Sequence, residues 1–364
     1  MPLPSGPRVV VVSDGLAGLP AHEAAAAVAE GWSAAAPHVS VETFASHDGG
    51  AGFGDVVARS LGAVRHPVLV PGPTGEDVPA EIAVVEATGT AYLDSAQVCG
   101  RHLVSPDRLA DPEGMSSAGV GRLLRLARDL GVQRVVVGVG PLACHDGGAG
   151  LLAELGAGAD LGRLADVRQD WAGVRLVAAV TGSGPLLGFH GASATLTEDY
   201  GVAPDVSQRL ETSFGELSDR VNRVLPPVRD LLTGLPRRPE REAGSGAGGG
   251  VGYALQLLGA RTETGARLLL DELGLRERLP GALLVLASPA YDGRTVHDGV
   301  LAETAQVALE TATPTVVLAD SVAVGRREGM SLGVSGSYER RADETAGELA
   351  ARVARTWTPP PPSA

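Results

Sequence analysis

The sequence contains no lysine: all 30 of its basic residues are arginine. GC-rich codon usage is a sufficient origin. The chemical consequence holds regardless: no step can use an ammonium point charge or a lysine amine, and a Walker A loop, which needs its lysine, is excluded. Cationic surplus is missing too. The net charge of −13 argues against nonspecific nucleic-acid binding, which requires a basic face. Any site for an anionic small molecule must therefore be locally positive or carry a metal. Cysteine is nearly absent, with only Cys99 and Cys144, so neither a disulfide framework nor a zinc cluster is available. Aromatic residues make up only 3%, so the core must be built from Val, Leu and Ala, which suits buried parallel strands. No apolar run is long enough to span a bilayer, and the first eight residues have no charged-then-apolar pattern. A cytoplasmic protein without membrane or nucleic-acid partners is expected.

What is present is ample apolar content, 44% of 364 residues, enough for about two domains. Residues 8–13 (RVVVVS) read as a buried strand. A glycine-containing turn (14–20), an alanine-rich helix (21–35), a second strand (39–45), a glycine loop and a helix (53–61) follow. Strand, glycine loop and helix, repeated, open a parallel α/β sheet. Short alternating runs over 67–92 predict antiparallel strands and a change of domain. Further buried strands are expected at 134–140, 175–180, 283–287 and 315–319, and helices at 117–130, 205–224 and 253–258. Residues 226–242 read as a surface connection, and the tail 358–364 (TPPPPSA) as disordered or polyproline-like.

The string Asp48-Gly-Gly-Ala-Gly-Phe53 returns as Asp146-Gly-Gly-Ala-Gly-Leu151, each time between the end of a predicted strand and the start of a helix. Open α/β sheets bind ligands in that place. Glycines there let backbone N–H groups converge on an anion; the alternative is tight helix packing. Gly244-Ser-Gly-Ala-Gly-Gly249 matches the dinucleotide pattern in letters, but polar residues and not a strand precede it. Asp14, Asp48, Asp146 and Asp292 each trail a predicted strand, where a carboxylate can hold Mg²⁺ or take a hydroxyl proton; the alternative is a turn or helix-cap role. Ser46-His47-Asp48 and Cys144-His145-Asp146 look like nucleophile sets, but adjacent residues rarely point at one another, and Cys144 reads better as an apolar packer.

In order, these pieces resemble the type I glycerate kinase family, along almost the entire chain. The family's P-D-S-F-K-G-S-L-S-A aligns with Ser13-Asp-Gly-Leu-Ala-Gly-Leu-Pro-Ala21. Its A-D-G-G-E-G-T aligns with 47–53, and its I-G-G-S-A-T-N-D-G-G-A-G-M with 139–151. Its N-P-L-x-G-x-x-G-A-S, G-x-G-A-A-G-G-x-G-x-A-L and T-G-E-G-x-x-D-x-x-x-x-H-G-K-V patterns resemble 184–193, 244–255 and 286–300.

The resemblance implies a two-domain fold with a cleft between the domains. A Rossmann-like parallel-sheet domain would take 1–66 and 281–364, and a second α/β domain with a mixed sheet would take 67–280. It implies ATP and Mg as cofactors, and phosphoryl transfer to glycerate or a related small-molecule hydroxy acid. Asp48, Asp292 and Asp14 would be catalytic, with Asp48 and Asp292 also holding metal. Gly49, Gly50, Asp146, Gly147, Gly148, Gly191, Ser193, Gly246, Gly248, Arg294 and His297 would bind ligand.

The departures fall where the chemistry should be. The family's motif lysines stand here as Ala17, Tyr200 and Gly299. Its loop glutamate is Ala51, a strand aspartate has no counterpart at Ala179-Val180, and a glutamate and an arginine are Ser288 and Ala290. Codon bias alone predicts arginine at the lysine positions, and none is there. Arg294, just past Asp292, is the nearest candidate substitute. Phosphoryl transfer depends on cations around the phosphate oxygens, so weakened or lost activity is expected. The rival expectation is a non-catalytic relative that senses a ligand, binds a protein partner or forms a homo-oligomer.

Overall fold

The computed structural model describes residues 6–226, 229 and 234–360. The end of the Pro-rich tail (361–364) and part of the connection 226–242 lie outside the described residues, as do residues 1–5. In chain order the strands are β1 (Arg8–Ser13), β2 (Gly15–Leu16), β3 (Leu19–Pro20), β4 (Ser40–Ala45), β5 (Val64–Pro71), β6 (Asp77–Val85) and β7 (Thr90–Asp94). They continue as β8 (Arg134–Val139), β9 (Arg175–Val180), β10 (Arg261–Thr264), β11 (Ala282–Tyr291), β12 (Thr315–Val322) and β13 (Val334–Glu339).

The chain divides into two compact units. One is Met1–His47 with Ala266–Ala364, and the other is Asp48–Gly265. These divisions differ from the expected ones at 66/67 and 280/281, and packing gives the reason. Helix Phe53–Leu61 sets Phe53 against Tyr92 of β7, with ring centroids 6.4 Å apart, so it belongs with the second sheet. At the other end, Ala266, Leu270, Leu275 and Leu279 enter the core of the first unit.

In the first unit the sheet order is β13-β12-β11-β1-β4, with every pairing parallel. Successive side chains of a strand face opposite ways. Val9 and Val11 therefore pack under the helices Ala21–Ala35 and Ala346–Trp357, while Val10 and Val12 pack on the other face beside helix Gly299–Glu310. β1 lies between β4 and β11, so the crossover direction reverses at its carboxyl end, where Asp14 sits. That is the switch point at which open sheets bind ligands.

In the second unit the order is β10-β9-β8-β7-β6-β5. β7 to β10 pair in parallel, and β5, β6 and β7 are antiparallel neighbours. The antiparallel pairs are those expected from the alternation over 67–92, and with the parallel strands they make the mixed sheet that the resemblance implies. Its core is a single aliphatic cluster that includes Val135, Val137, Val139, Leu123 and Leu151. The short polar strand β10 and the strand β13 were not legible in the sequence.

Candidate functional site

In the second unit, the carboxyl ends of β7, β8 and β9 carry both Asp-Gly-Gly-Ala-Gly loops. The second loop is organised by its own aspartate. Asp146 Oδ1 accepts the amide of Gly148 at 2.9 Å. Its Oδ2 accepts the amide of Gly150 at 3.0 Å, with the amide and hydroxyl of Ser117 at 2.8 and 2.9 Å. Burial pushes this carboxyl upward against those hydrogen bonds. Gly147 and Gly148 are left-handed, and a Cβ on Gly148 would overlap Ala254. Asp146, Gly147 and Gly148, expected as binding residues, are thus occupied in tying the loop to helices Ala118–Asp129 and Ala247–Leu257.

The first loop is wired differently. Asp48 Oδ1 accepts the amide of Gly50 at 3.0 Å, the same short-range bond. The next amide, that of Gly52, goes instead to Asp94 Oδ2 at 2.9 Å, at the end of β7. Asp94 also takes the amides of Gly54 and Ala96 at 3.4 and 2.9 Å. The amide that corresponds to Gly150 thus goes to a strand end and not to the loop's own aspartate. Gly49 has φ +102, and a Cβ there would lie 2.5 Å from the carbonyl of Ala179, so the loop lies flush on the end of β9. Gly50 packs as closely on Gly140. Asp94 was missed in the sequence because it lies just past the alternating runs of 67–92 and belongs to no motif.

Beside these loops a cavity of about 240 Å³ opens on the ends of β8 and β9. Gly140, Thr181, Gly191, Thr195, Gly246 and Gly248 line it, with His145, His190 and Tyr200. Gly248, Gly249 and Gly250 are all left-handed within helix Ala247–Leu257, and a Cβ on Gly249 would overlap the carbonyl of Cys144. The glycine run thus packs backbone on backbone and is no dinucleotide fingerprint, in line with its missing strand. Ser193 is buried and its hydroxyl donates to Glu211, which also accepts the amide of Gly188 at 3.1 Å, fixing the segment that carries Gly191.

Burial, and to a lesser degree the field of Arg101, lower the His145 imidazole to about 4, so it is neutral near pH 7. Arg101 lies over the Tyr200 ring, its guanidinium carbon 4.0 Å from the centroid. The sequence offered no signal for Arg101, since only the fold brings it to Tyr200. Cys144 is buried, and its thiol is pushed up first by the neighbouring Cys99 and then by burial, which removes it as a nucleophile.

The first unit holds the remaining expected residues. Asp14 follows β1, its amide donating to Ala287 at 3.2 Å. The opening turn has contracted to a hairpin of β2 and β3 whose two central residues, Ala17 and Gly18, have φ 55 and 74. Asp320 accepts the amide of Ala17 at 3.0 Å and pairs with Arg340. Asp292 opens a tight turn: Oδ1 accepts the amides of Arg294 and Thr295 at 3.0 and 2.9 Å, and these bonds lower its carboxyl below the usual range. Arg294 and His297 are exposed on that turn, and Gly299 begins the helix after it with φ +84. Among the described residues no cluster of three or more His, Cys, Asp or Glu is arranged to hold a metal.

The family model for the glycerate kinase family matches residues 9–356. The chain belongs to the glycerate kinase family. It is 28% identical over 340 residues to a glycerate 2-kinase of Escherichia coli K12, covering 86% of this chain and 85% of that one. It is 33% identical over 330 residues to an uncharacterised protein of Mycobacterium tuberculosis, covering 90% and 82%. A glycerate kinase 2 crystal structure from Salmonella typhimurium LT2 superposes with a TM-score of 0.76 at 25% identity, covering 97% of this chain and 98% of that one. The α/β class with one parallel and one mixed sheet is accordingly that of the family. Among the described residues no helix is long and apolar enough to cross a membrane.

Proposed function

We propose that this chain transfers the γ-phosphoryl group of ATP to a hydroxyl of glycerate or a related hydroxy acid, at a rate reduced by its replaced motif residues. The observation that carries this reading is the wiring of the Asp48 loop. Asp94 takes the Gly52 amide while Asp48 holds that of Gly50, and the loop lies flush on the end of β9, where open sheets bind ligands. Asp48 is then the group that accepts the hydroxyl proton as the oxygen attacks phosphorus and the bond to ADP breaks. Loop amides and the glycine-lined cavity supply donors for the anionic ligand.

The residues fit a Mg²⁺ ion that arrives with nucleotide phosphates, since such an ion needs only one or two protein carboxylates. In the first unit, Asp292, kept ionised by the amides of Thr295 and Arg294, is the carboxylate that would hold such an ion.

A second reading has its own support. The family's first lysine stands here as Ala17, whose amide is held by an Asp320 already paired with Arg340, so the side chain of this turn residue brings no cation. That favours a relative that binds ligand without turning it over.

A coupled ADP-release assay with D-glycerate, alongside calorimetry with Mg-ATP, separates the two. Glycerate-dependent ADP release that disappears in Asp48→Asn supports the kinase reading. Nucleotide binding without release overturns it in favour of the second.

A further inference from the structure

The glycine-lined cavity of the second unit has an acute electrostatic need. The chain carries a net charge of −13 and no lysine, and the lysine position of the family motif on this wall is Tyr200. His145, on the same wall, is neutral near pH 7 because burial opposes its charge. Asp146, next in sequence, spends both oxygens on Ser117, Gly148 and Gly150. An anionic ligand would find backbone amides here, but no charge from any of these residues.

We propose that Arg101, held over Tyr200, is the cation of this cavity and receives the phosphate or carboxylate group of its ligand. Tyr200 lines the cavity, and the guanidinium carbon of Arg101 is 4.0 Å from its ring centroid. That is well inside the range of a cation–π contact. The ring supports one face of the guanidinium and leaves its edge, with the forked N–H donors, for a planar or tetrahedral oxyanion. Among the described residues Arg101 makes no ion pair, whereas the Arg65, Arg209, Arg276, Arg340 and Arg352 guanidinium groups all do. It is half-buried, so its field reaches the cavity wall and is one of the causes that lower His145. Replacing lysine by tyrosine thus did not strip the wall of charge. It exchanged an ammonium for a stacked guanidinium supplied from the segment after β7.

The identity of the ligand rests on the kinase reading; the role of Arg101 as its anion receptor does not. Calorimetric titrations with Mg-ADP, D-glycerate and inorganic phosphate test it on the wild type and on Arg101→Gln, Arg101→Lys and Arg101→Gln/Tyr200→Lys. Loss of one charge-assisted fork weakens binding about tenfold or more. Arg101→Gln is expected to show that loss for the probe whose anionic group sits here. A nucleotide-specific loss assigns the phosphate, and a glycerate-specific loss assigns the carboxylate. Arg101→Lys should retain part of the affinity, and the double variant should regain it by restoring a cation from position 200. Rescue of this kind is not expected of a residue that only packs. Unchanged affinity for all three probes in Arg101→Gln, with unchanged melting, overturns the proposal even if ADP release is intact. Failure of all three to bind the wild type overturns it as well. Arg101-dependent binding without ADP release sustains it while the kinase reading alone falls.

Discussion

Asp94 Oδ2 accepts the amide of Gly52 at 2.9 Å, taking in the first glycine loop the bond that Asp146 makes for itself in the second. Stability and activity should therefore separate between Asp48 and Asp94. Asp94→Ala leaves three loop and helix amides without their acceptor, and should cost roughly 3 kcal/mol in chemical denaturation. Asp48→Asn keeps an oxygen for the Gly50 amide and should cost less than Asp94→Ala, while glycerate-dependent ADP release falls on the order of a hundredfold or more. Equal stability losses in the two variants would contradict this division.

Much of the frame was legible in the sequence because its signals are local. RVVVVS at β1, the alanine-rich helix Ala21–Ala35 and the helix Phe53–Leu61 stand where periodicity places them. The site was legible only in part. The repeated Asp-Gly-Gly-Ala-Gly string marks both loops, but identical letters conceal different wiring, because Asp94 reaches the first loop across the sheet. Arg101 was hidden for the same reason: its partner Tyr200 is brought near by folding, and no spacing rule connects them. The core that Phe53 and Ala266 join is set by tertiary packing, which no local pattern in the sequence announces.

Gly249 has φ +62 and faces the carbonyl of Cys144 without room for a methyl group. Gly249→Ala combines a left-handed backbone with a backbone clash, and should destabilise by about 2 kcal/mol or more in denaturant titrations. Gly18→Ala, in open space at φ +74, carries the backbone penalty alone and should cost about 1 kcal/mol.

Ala17 has φ 55 in a two-residue hairpin turn of the kind glycine prefers. Ala17→Gly should stabilise the chain by roughly 0.5–1 kcal/mol, read as a higher melting temperature. No gain would mean that the Asp320 contact already offsets the strain.

His145 takes its proton only near pH 4 when folded, against an ordinary value of 6.5. The unfolded chain therefore binds that proton first, and folded stability declines as pH falls from about 6.5 towards 4. A shift of this size corresponds to about 3 kcal/mol at full effect. His145→Gln should flatten that part of the pH–stability curve and leave the region above pH 7 unchanged.

Glu344 runs in the opposite sense. The fork of Arg352, at 2.7 and 2.8 Å, lowers its carboxyl below the ordinary 4.5. Its contribution is fully present above that value and is lost as pH falls through the folded one. Arg352→Gln should melt earlier than the wild type at pH 7 and converge with it near pH 3.

The two wirings also bear on how such a chain can be recombined. A string of five identical residues invites exchange, as though either copy would serve in both places. Yet one copy brings its clamp with it, while the other borrows its clamp from the last residue of a neighbouring strand. A transplanted first loop arrives in a foreign scaffold half-fastened unless an acidic strand end travels along. The heritable unit is thus the loop together with Asp94, and the tolerance of family members to loop grafts should follow that pairing, not the spelling of the loop.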